Sequence, residues 1–331
     1  MEQNLTFADL GLSKEILQAL EQKGYGSPTR IQAEAIPPFM QWKDVIAKAP
    51  TGTGKTFAFG IPMLEHIDPE SEDLQGLILA PTRELAIQIC DELKGLAAFN
   101  KDIRVAVVCG GAKIEQQIKQ LAKHPQIVVA TPGRLMDHYN RKTLRLDKVQ
   151  TVVLDEADRM LDMGFYDDIM TIAKQLPPTC QTLMFSATMP PKIQRMAEAI
   201  LKNPAEVKLE VSRPAENIRQ SAFVCYEGQK TPILRSLFKT RANKRVIVFA
   251  SSKLKVKELT RELRRAGVKA AEMHSDLEQA RRDEVMLDFR AGRIDILVAT
   301  DIVARGIDID DIAMVVNYDV PREAEDYVHR I

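Results

Sequence analysis

The sequence lacks the features that mark membrane, secreted and disulfide-rich proteins. Its 331 residues contain no run of about 18 apolar residues, so no segment is expected to span a membrane. The opening stretch, MEQNLTFADL, has neither the basic nor the apolar region of a secretory signal. The cysteines lie far apart without a C-x-x-C pair, which argues against a zinc site or a disulfide framework and favours the reducing cytoplasm. They are Cys90, Cys109, Cys180 and Cys225.

An excess of either charge is also missing. Lys plus Arg and Asp plus Glu each number 46, so a nucleic-acid partner would have to be held by a local arrangement of charges. Apolar residues make up 45% and charged residues 28%, which excludes a collagen or a disordered tail. One stretch, 253–265, is locally basic, and a solvated helix face is its simpler interpretation. At roughly 150 residues per domain, the length predicts two domains.

Short apolar, β-branched runs alternate with helical patterns over most of the chain. Runs that are apolar at nearly every position are typical of a parallel sheet covered by helices on both faces. The alternation begins again after a polar, Pro-containing stretch at 211–218, which is the best linker candidate. The sequence therefore predicts two α/β lobes, each a mostly parallel sheet flanked by helices, joined by a short linker. The predicted strands are 45–47, 77–80, 105–108, 127–130, 152–154 and 183–185, then 246–250, 268–273, 296–299 and 314–316.

The clearest chemical motif is a glycine-rich loop between a predicted strand and a predicted helix, which is the context of a phosphate-binding loop. Gly52 and Gly54 allow a tight turn that points N–H groups at phosphate oxygens. Lys55 is expected to reach the β- and γ-phosphates, and the Thr56 hydroxyl to bind Mg²⁺. An unrelated glycine-rich turn is the alternative. The loop comprises Ala49, Pro50, Thr51, Gly52, Thr53, Gly54, Lys55 and Thr56.

Acidic residues follow another apolar strand, at 152–154. Since ligands of parallel sheets collect at the carboxyl ends of the strands, Asp155 is placed to hold Mg²⁺, directly or through water. Glu156 is placed to orient and deprotonate an attacking water. An exposed helix start with acidic capping is the alternative, which the preceding apolar strand and phosphate loop disfavour. Hydrolysis of ATP or GTP is predicted, with Glu156, Lys55 and Asp155 as catalytic residues.

Further short motifs follow in a fixed order along the chain. They are Phe7, 24–32, 81–86, 110–111, 131–134, 186–188, 246–250, 279–282, 299–308 and 327–330. Together with the two motifs above, they resemble a DEAD-box RNA helicase, an ATPase of helicase superfamily two, over essentially the whole chain. The stretch 155–165 is more similar to the bacterial RhlE-like group than to the translation-initiation-factor group.

This resemblance implies a division of the chain and a way of reading adenine. It implies an adenine-reading segment at 1–35, a RecA-like ATP-binding lobe at 36–210, a linker at 211–218 and a RecA-like C-terminal lobe at 219–331, incomplete at its end. Gln32 resembles the glutamine that offers adenine one donor and one acceptor, and Phe7 the aromatic residue that stacks on the base. Without the resemblance, Gln32 is an ordinary polar helix residue and Phe7 a core residue. Asp308 resembles a residue that faces the ATP ribose.

The resemblance also implies contacts with the RNA backbone and between the lobes. Glycine pairs and a Thr-Pro-Gly turn expose N–H groups that hold a strand without reading its bases. The implied RNA contacts are Pro81, Thr82, Arg83, Gly110, Gly111, Thr131, Pro132, Gly133, Arg134, Gln279, Arg282, Thr300 and Asp301. The implied coupling residues are Ser186, Thr188, Arg305, His329 and Arg330, the two hydroxyls facing the 155–158 carboxylates. A sharp turn at 131–134, a helix cap at Gln279 and a plain turn at 186–188 are the alternatives.

The sequence thus predicts an ATP-dependent RNA helicase that uses Mg²⁺. ATP and RNA close the lobes, a short duplex separates locally, and hydrolysis releases the strand. An ATP-gated RNA clamp and a DNA-directed translocase are the alternatives. Gln32 and the full motif set argue against the translocase, whereas nothing in the sequence separates clamp from helicase. The family places two further arginines beyond Arg330, so a chain ending at Ile331 is expected to bind ATP but to hydrolyse it poorly. A natural chain that continues past Ile331 is the alternative.

Overall fold

The structure, a computed structural model, describes residues 5–49, 52–209, 218–239, 245–300 and 312–321, together with Tyr327 and Arg330. The chain folds as two units, Met1–Val211 and Ser212–Ile331. The predicted linker lies outside the described residues except for Ile218. The finer division at 1–35, 36–210, 211–218 and 219–331 stays a prediction.

The first unit is built on a parallel sheet of seven strands. They are β1 (Val45–Lys48), β2 (Gly76–Leu79), β3 (Val105–Val108), β4 (Ile127–Ala130), β5 (Thr151–Leu154), β6 (Gln181–Ser186) and β7 (Ala205–Lys208). They pair in the order β3-β4-β2-β5-β6-β1-β7. Every residue of β2, β4, β5 and β6 is buried, because helices cover both faces of the sheet.

Helices of the first unit form two apolar layers, one on each face of the sheet. They are a short 3-10 helix (Phe7–Leu10), α1 (Lys14–Gln22), α2 (Arg30–Met40), α3 (Lys55–His66), α4 (Arg83–Leu96), α5 (Ile114–Leu121), α6 (Pro132–Asn140), α7 (Ala157–Asp162), α8 (Tyr166–Gln175) and α9 (Pro191–Ile200). Side chains of a strand alternate between the faces, so Ile78 joins one core and its neighbours Leu77 and Leu79 join the other.

The second unit repeats this architecture at smaller size. Its described strands are β8 (Val246–Phe249), β9 (Ala270–Met273), β10 (Ile296–Ala299) and β11 (Met314–Asn317). They form a parallel sheet in the order β11-β8-β10-β9. Its described helices are α10 (Glu227–Lys239), α11 (Lys253–Arg265) and α12 (Gln279–Arg290). The predicted fold class, two α/β lobes with parallel sheets flanked by helices, is confirmed.

The cysteines are free thiols in the structure. Cys90, Cys109 and Cys180 are buried thiols without disulfides, and Cys225 is a half-buried one. Burial raises the pKa of Cys180 to about 12, so it is held as a neutral thiol. Across the described ranges, none of the helices has the length and apolar character needed to cross a membrane.

The locally basic helix α11 directs three lysines to carboxylates of its own unit. Lys253 and Lys257 donate to the two oxygens of Asp276, at 2.6 and 3.2 Å. Lys255 donates to Glu227 and Asp319, at 2.9 and 3.0 Å. These ion pairs connect the helix to neighbouring segments of the same unit. The basic face is therefore solvent-exposed, as the simpler interpretation says, and in addition forms ion pairs within the unit.

Asp319, just after β11, is the centre of the larger of these clusters. Its Oδ1 accepts hydrogen bonds from Nζ of Lys230 on α10, at 2.9 Å, and of Lys255 on α11. Its Oδ2 accepts from the backbone N and hydroxyl of Ser251, at 2.9 and 2.7 Å. Burial alone would raise the pKa of Asp319, but these donors hold it well below its usual range. The carboxylate therefore connects α10, α11 and the end of β8 to β11.

We expect Asp319→Asn to destabilise the second unit by roughly 1 to 2 kcal/mol, because the two lysines lose a shared buried anion. A carboxyl whose pKa is lowered by folding stabilises the protein at neutral pH, and this contribution is lost as the pH falls into the acidic range. The variant should therefore also lose part of the acid sensitivity of this unit. Hydrogen exchange of β8 amides in urea, at neutral and acidic pH, measures both effects. Asp276→Asn is the matched control, because Asp276 also binds two lysines but is exposed. An equal effect of both variants would contradict this account.

Candidate functional site

The predicted nucleotide residues of the first unit gather at one edge of its sheet. Because all the strands are parallel, their carboxyl ends meet at that edge. The glycine-rich loop follows β1, Asp155 follows β5, and Ser186 ends β6. These three strands are adjacent in the sheet order, so the three motifs are neighbours in space.

The predicted RNA residues of this unit occupy the other half of the same edge. Pro81, Thr82 and Arg83 follow β2, the Gly110–Gly111 turn follows β3, and Thr131 begins the segment after β4. These three strands are also adjacent. The halves meet at the β2–β5 pair, where Asp155 N donates a hydrogen bond to Leu79 O at 2.9 Å.

The glycine-rich loop ends in the first turn of α3. Gly52 and Gly54 have φ values of +77° and +87°, in the left-handed region that favours glycine. The buried Lys55 places Nζ 3.4 Å from Ala49 O and 4.0 Å from Asp155 Oδ1. The N–H groups at the start of α3 have no partners within the helix, as in an anion site at a helix N-terminus. Pro50 and Thr51 lie outside the described residues.

Gln32 and Thr29 connect the start of α2 to this loop. Gln32 Oε1 accepts from Thr29 N at 2.9 Å, and its Nε2 donates to Gly54 O at 3.0 Å. The Thr29 hydroxyl donates to Thr53 O at 2.9 Å. Gln32 is only 4% exposed, so it is no ordinary surface position, and its reading of adenine stays a prediction. Phe7 is buried in the apolar core, the position that the residue type alone indicates.

The acidic residues after β5 are buried, and Asp155 and Glu156 differ from Asp158 in how far they are compensated. Burial raises the pKa of Asp155 to about 6; the ammonium of Lys55 opposes this and the carboxylate of Glu156 adds to it. Glu156 has φ = +50°, a strained value for a residue with a side chain. Its Oε2 is buried and accepts no hydrogen bond from the described residues, the nearest ion-pair partner being Arg159 Nη1 at 3.6 Å. Strain and an unsatisfied carboxylate in one residue are typical of a functional position.

Asp158 ties this acidic segment to the Ser-Ala-Thr segment after β6. Its Oδ2 accepts hydrogen bonds from the backbone N and hydroxyl of Thr188, both at 2.9 Å. The Ser186 hydroxyl accepts from Asp158 N at 3.2 Å and donates to Thr188 O at 2.7 Å. The expected contact between a hydroxyl and the carboxylates is thus present for Thr188, whereas Ser186 bonds the backbone. The coupling role of both residues stays a prediction.

The half of the edge formed after β2, β3 and β4, which carries the predicted RNA residues, is called the RNA half. Backbone N–H groups and one arginine shape it. Gly110 and Gly111 are exposed, and Gly110 N donates to Thr131 Oγ1 at 3.4 Å. Thr131 caps α6, and Pro132 is its first residue, followed by Gly133. Arg134 Nη1 donates to Ala112 O at 3.0 Å, so this guanidinium holds the glycine turn.

Fewer of the predicted site residues are described in the second unit than in the first. Arg282 donates to the carbonyls of Leu277 and Ser275, at 3.0 and 2.9 Å, and Thr300 follows β10. Arg330 is buried; its Nη1 donates to Asn317 Oδ1 at 2.8 Å and to Asp319 O at 2.7 Å. The side chain of Gln279 and the residues Asp301, Arg305, Asp308 and His329 lie outside the described residues.

Sequence reasoning missed residues whose hydrogen bonds support the loops of the site. Thr29 carries a recognisable signal, since Thr-x-x-Gln at a helix start is a capping box. Gln117 and His138, both buried, contact each other at 3.2 Å but are separated by 21 positions, so no local pattern reveals them. A phosphate-type loop after β1 and a carboxylate after β5, with β6 between the two strands, are an arrangement typical of nucleotide-binding P-loop α/β proteins.

Comparisons with known proteins give the family. The DEAD/DEAH box helicase family matches residues 29–196, and the helicase conserved C-terminal domain matches residues 229–331. The DEAD-box ATP-dependent RNA helicase CshA of Bacillus cereus is 48% identical over 329 residues, which cover 98% of this chain and 62% of that protein. CshA of Geobacillus kaustophilus is 48% identical over 98% of this chain and 70% of that protein. The chain belongs to the DEAD-box helicase family.

Solved structures agree with this assignment. S. cerevisiae Dbp5 bound to RNA and ADP BeF3 matches with a TM-score of 0.88 and 32% identity, over 98% of this chain and 85% of that one. A DEAD box protein from Methanococcus jannaschii matches with a TM-score of 0.62 and 41% identity, over 99% and 88%. The predicted RecA-like lobes are confirmed by these matches. The chain spans about 62% of the length of the Bacillus relatives, and its finer likeness to the RhlE-like group stays a prediction.

We expect Gly54→Ala to destabilise the first unit more than Gly52→Ala, by about 1 kcal/mol or more. Both variants place a side chain at positive φ, which costs about 1–2 kcal/mol. At Gly54 the new Cβ would also lie 2.5 Å from Gln32 Nε2 and 3.2 Å from Thr29 Oγ1, whereas at Gly52 it meets nothing within 4 Å. Urea unfolding without nucleotide, followed by the fluorescence of the single tryptophan, Trp42, measures the difference. Equal destabilisation would mean that the loop does not depend on its contacts with α2.

Proposed function

We propose that this chain contains the catalytic core of an ATP-dependent RNA helicase. The observation that carries the proposal is the division of one sheet edge into a half with a glycine-rich loop and carboxylates and an adjoining half with exposed N–H groups. In the proposed cycle, binding of ATP and RNA closes the two units and separates a short duplex locally. Hydrolysis to ADP and phosphate then releases the strand. The names of the CshA relatives and the RNA and ADP BeF3 bound to Dbp5 support this assignment.

ATP would bind at the glycine-rich loop. The Lys55 ammonium now rests on a carbonyl at 3.4 Å and a carboxylate at 4.0 Å, contacts weak enough for phosphate oxygens to replace. N–H groups at the start of α3 would hold the same phosphates. Gln32 donates a hydrogen bond to Gly54 O of the loop, so adenine bound beside Gln32 would be linked to the phosphate site through this bond. The ATP contacts of Phe7, Pro50, Thr51 and Asp308 are proposed on the family resemblance alone.

Mg²⁺ fits the donor set at the acidic edge. Asp155 is buried with a raised pKa, so its charged form lacks compensation that a cation would provide. The carboxylate of Asp155 and the hydroxyl of Thr56 are oxygen ligands of the kind that Mg²⁺ prefers together with substrate phosphates. When bound, the ion would neutralise phosphate charge.

Glu156 is the proposed general base. Its buried Oε2 accepts no hydrogen bond from the described residues and is therefore available to a water molecule. A base must lie within hydrogen-bond reach of the proton that it takes, and Glu156 directly follows Asp155 at this edge. Asp158, held by Thr188, would carry changes at the acidic segment to the segment after β6.

RNA would lie along the other half of the edge, and its phosphates would be held without base reading. The exposed Gly110–Gly111 turn and the start of α6 lie there, and the 3.4 Å bond from Gly110 N to Thr131 Oγ1 would be exchanged for a phosphate contact. Pro81, Thr82 and Arg83 border the nucleotide half, so they are the proposed contacts nearest to the catalytic residues. Contacts of Gln279, Arg282, Thr300 and Asp301 in the second unit are proposed on the resemblance.

The test of the proposed function is Glu156→Gln. The variant keeps the shape of the side chain but removes the base, so ATP turnover should fall by about 10² or more while ATP-dependent RNA binding persists. Turnover and RNA binding are measured on the same preparation, with displacement of a short RNA duplex as a third readout. Surviving turnover would show that Glu156 is not the base, and turnover without displacement in the parent would favour an RNA clamp.

We further expect Gln32→Ala to reduce the preference for ATP over GTP, because the variant removes the amide between α2 and the phosphate loop. The measurement is the ratio of the two nucleotide dissociation constants. Gln41→Ala, at the exposed opposite end of α2, is the matched control and should leave that ratio unchanged. An unchanged ratio in Gln32→Ala would place adenine recognition elsewhere.

A further inference from the structure

A buried hydrogen-bonded chain runs behind the RNA half of the sheet edge. Gln117 on α5 and His138 on α6 are 3% and 0% exposed. Gln117 Nε2 donates to Cys109 O at 2.9 Å, and Gln117 Oε1 lies 3.2 Å from His138 Nε2. His138 Nδ1 lies 2.8 Å from Thr143 Oγ1. The chain therefore runs from the residue before the glycine turn, across α5, to the end of α6.

The direction of the hydrogen bonds along this hydrogen-bonded chain is fixed at its Cys109 end. A backbone carbonyl only accepts, so Gln117 must turn its NH₂ to Cys109 and its oxygen to His138. His138 Nε2 must then carry a proton and donate it to that oxygen. In the neutral ring Nδ1 is an acceptor, and the Thr143 hydroxyl, which also lies 3.1 Å from His138 O, is within hydrogen-bond distance of it. Between Cys109 and His138 each polar atom has one role, so an apolar replacement of Gln117 or of the His138 ring leaves its neighbour unsatisfied.

His138 is held neutral by its surroundings. Burial lowers its pKa, and the nearby cations Arg134 and Arg141 lower it further, while Asp137 alone opposes them. The partners on neighbouring segments, Gln117 and Thr143, carry no charge. The tautomer that the geometry requires is therefore the populated form at neutral pH.

The glycine turn is fastened at three points, two of them already described. Gly110 N bonds Thr131 Oγ1, and Arg134 Nη1 bonds Ala112 O. The Gln117 bond to Cys109 O is buried and acts directly before the turn. Gly110 and Gly111 have no side chains to pack, and Gly111 has φ = +77°, so the turn depends on these fastenings for its conformation.

We propose that Gln117 and His138 are positioning residues that orient the Gly110–Gly111 turn and so set the affinity of the first unit for an RNA backbone that neither residue touches. The proposal rests on the proposed RNA-binding function. Preorganised donors bind a phosphate without the cost of ordering them, and a loosened turn would have to be ordered at the moment of binding.

The experiment uses the 331-residue chain with two independent readouts. Hydrogen exchange of the amides at 110–112 reports the turn without RNA, and titration with a fluorescent single-stranded oligoadenylate reports affinity. Gln117→Met keeps length but removes both hydrogen bonds, and His138→Leu removes the donor to Gln117. His138→Gln retains an N–H that reaches Gln117 and is the conservative rescue. Leu96→Ala, a buried position at the far end of α4, is the control for general destabilisation.

We expect Gln117→Met and His138→Leu to speed exchange at 110–112 about tenfold and to raise the RNA dissociation constant about tenfold, the loss expected for one buried hydrogen bond. The dissociation constant for ATP should change less than about twofold, since the nucleotide half is untouched. His138→Gln should stay within about threefold of the parent in both readouts. Leu96→Ala should lower the melting temperature without changing exchange at the turn.

Other results overturn the proposal. Unchanged exchange at 110–112 in Gln117→Met would show that the turn does not depend on this chain. Faster exchange with unchanged RNA affinity would show that orientation of the turn does not set affinity. A parent that binds no RNA would refute the proposed function instead, and the exchange measurement would still decide whether Gln117 and His138 orient the turn.

Discussion

Parallel pairing of the first sheet is the constraint on which the site depends. Parallel strands can be joined only by crossovers, and each crossover here begins at the same edge. Six segments of unrelated sequence therefore arrive side by side although they are spread over more than a hundred residues. Sheet order then sorts them, because β1, β5 and β6 are neighbours and so are β2, β3 and β4. The pairing of the strands brings these segments together, so the segments need no direct contacts with one another for this.

Burial at this edge creates the chemistry. Asp155, Glu156 and Lys55 are each less than a tenth exposed, and in such surroundings a charge without a partner is costly. The edge is thus held in a state whose electrostatic balance is incomplete, with a raised pKa at Asp155 and an unsatisfied oxygen at Glu156. In the second unit the opposite holds at Asp319, where donors surround the carboxylate and lower its pKa. The arrangement at Asp155 and Glu156 is suited to binding a ligand, whereas the arrangement at Asp319 is suited to stabilising helix packing.

Much of this could be predicted from the sequence, for reasons visible in particular residues. The strands with apolar residues at every position were found because burial on both faces leaves a continuous signal, and the glycine-rich loop because its spacing is specific. The edge strand β7 was missed, since only Val207 is buried and the polar Glu206 and Lys208 flank it. The bond from Gln32 to Gly54 spans 22 positions, and that between Gln117 and His138 spans 21. Contacts of this kind depend on tertiary packing and leave no periodic pattern behind.

The hydrogen bond between Asp155 N and Leu79 O is the last one of the β2–β5 pair before the two loops diverge. It lies where the two halves of the edge adjoin, so a shift of one strand end relative to the other is felt by carboxylates and by the Pro81–Arg83 backbone together. Linkage between two ligands on one protein is reciprocal. If RNA tightens the binding of ATP across this strand pair by some factor, ATP must tighten the binding of RNA by the same factor. Under the proposed function, hydrolysis removes one of the two ligands and would therefore set the direction of the cycle without any asymmetry in the sheet.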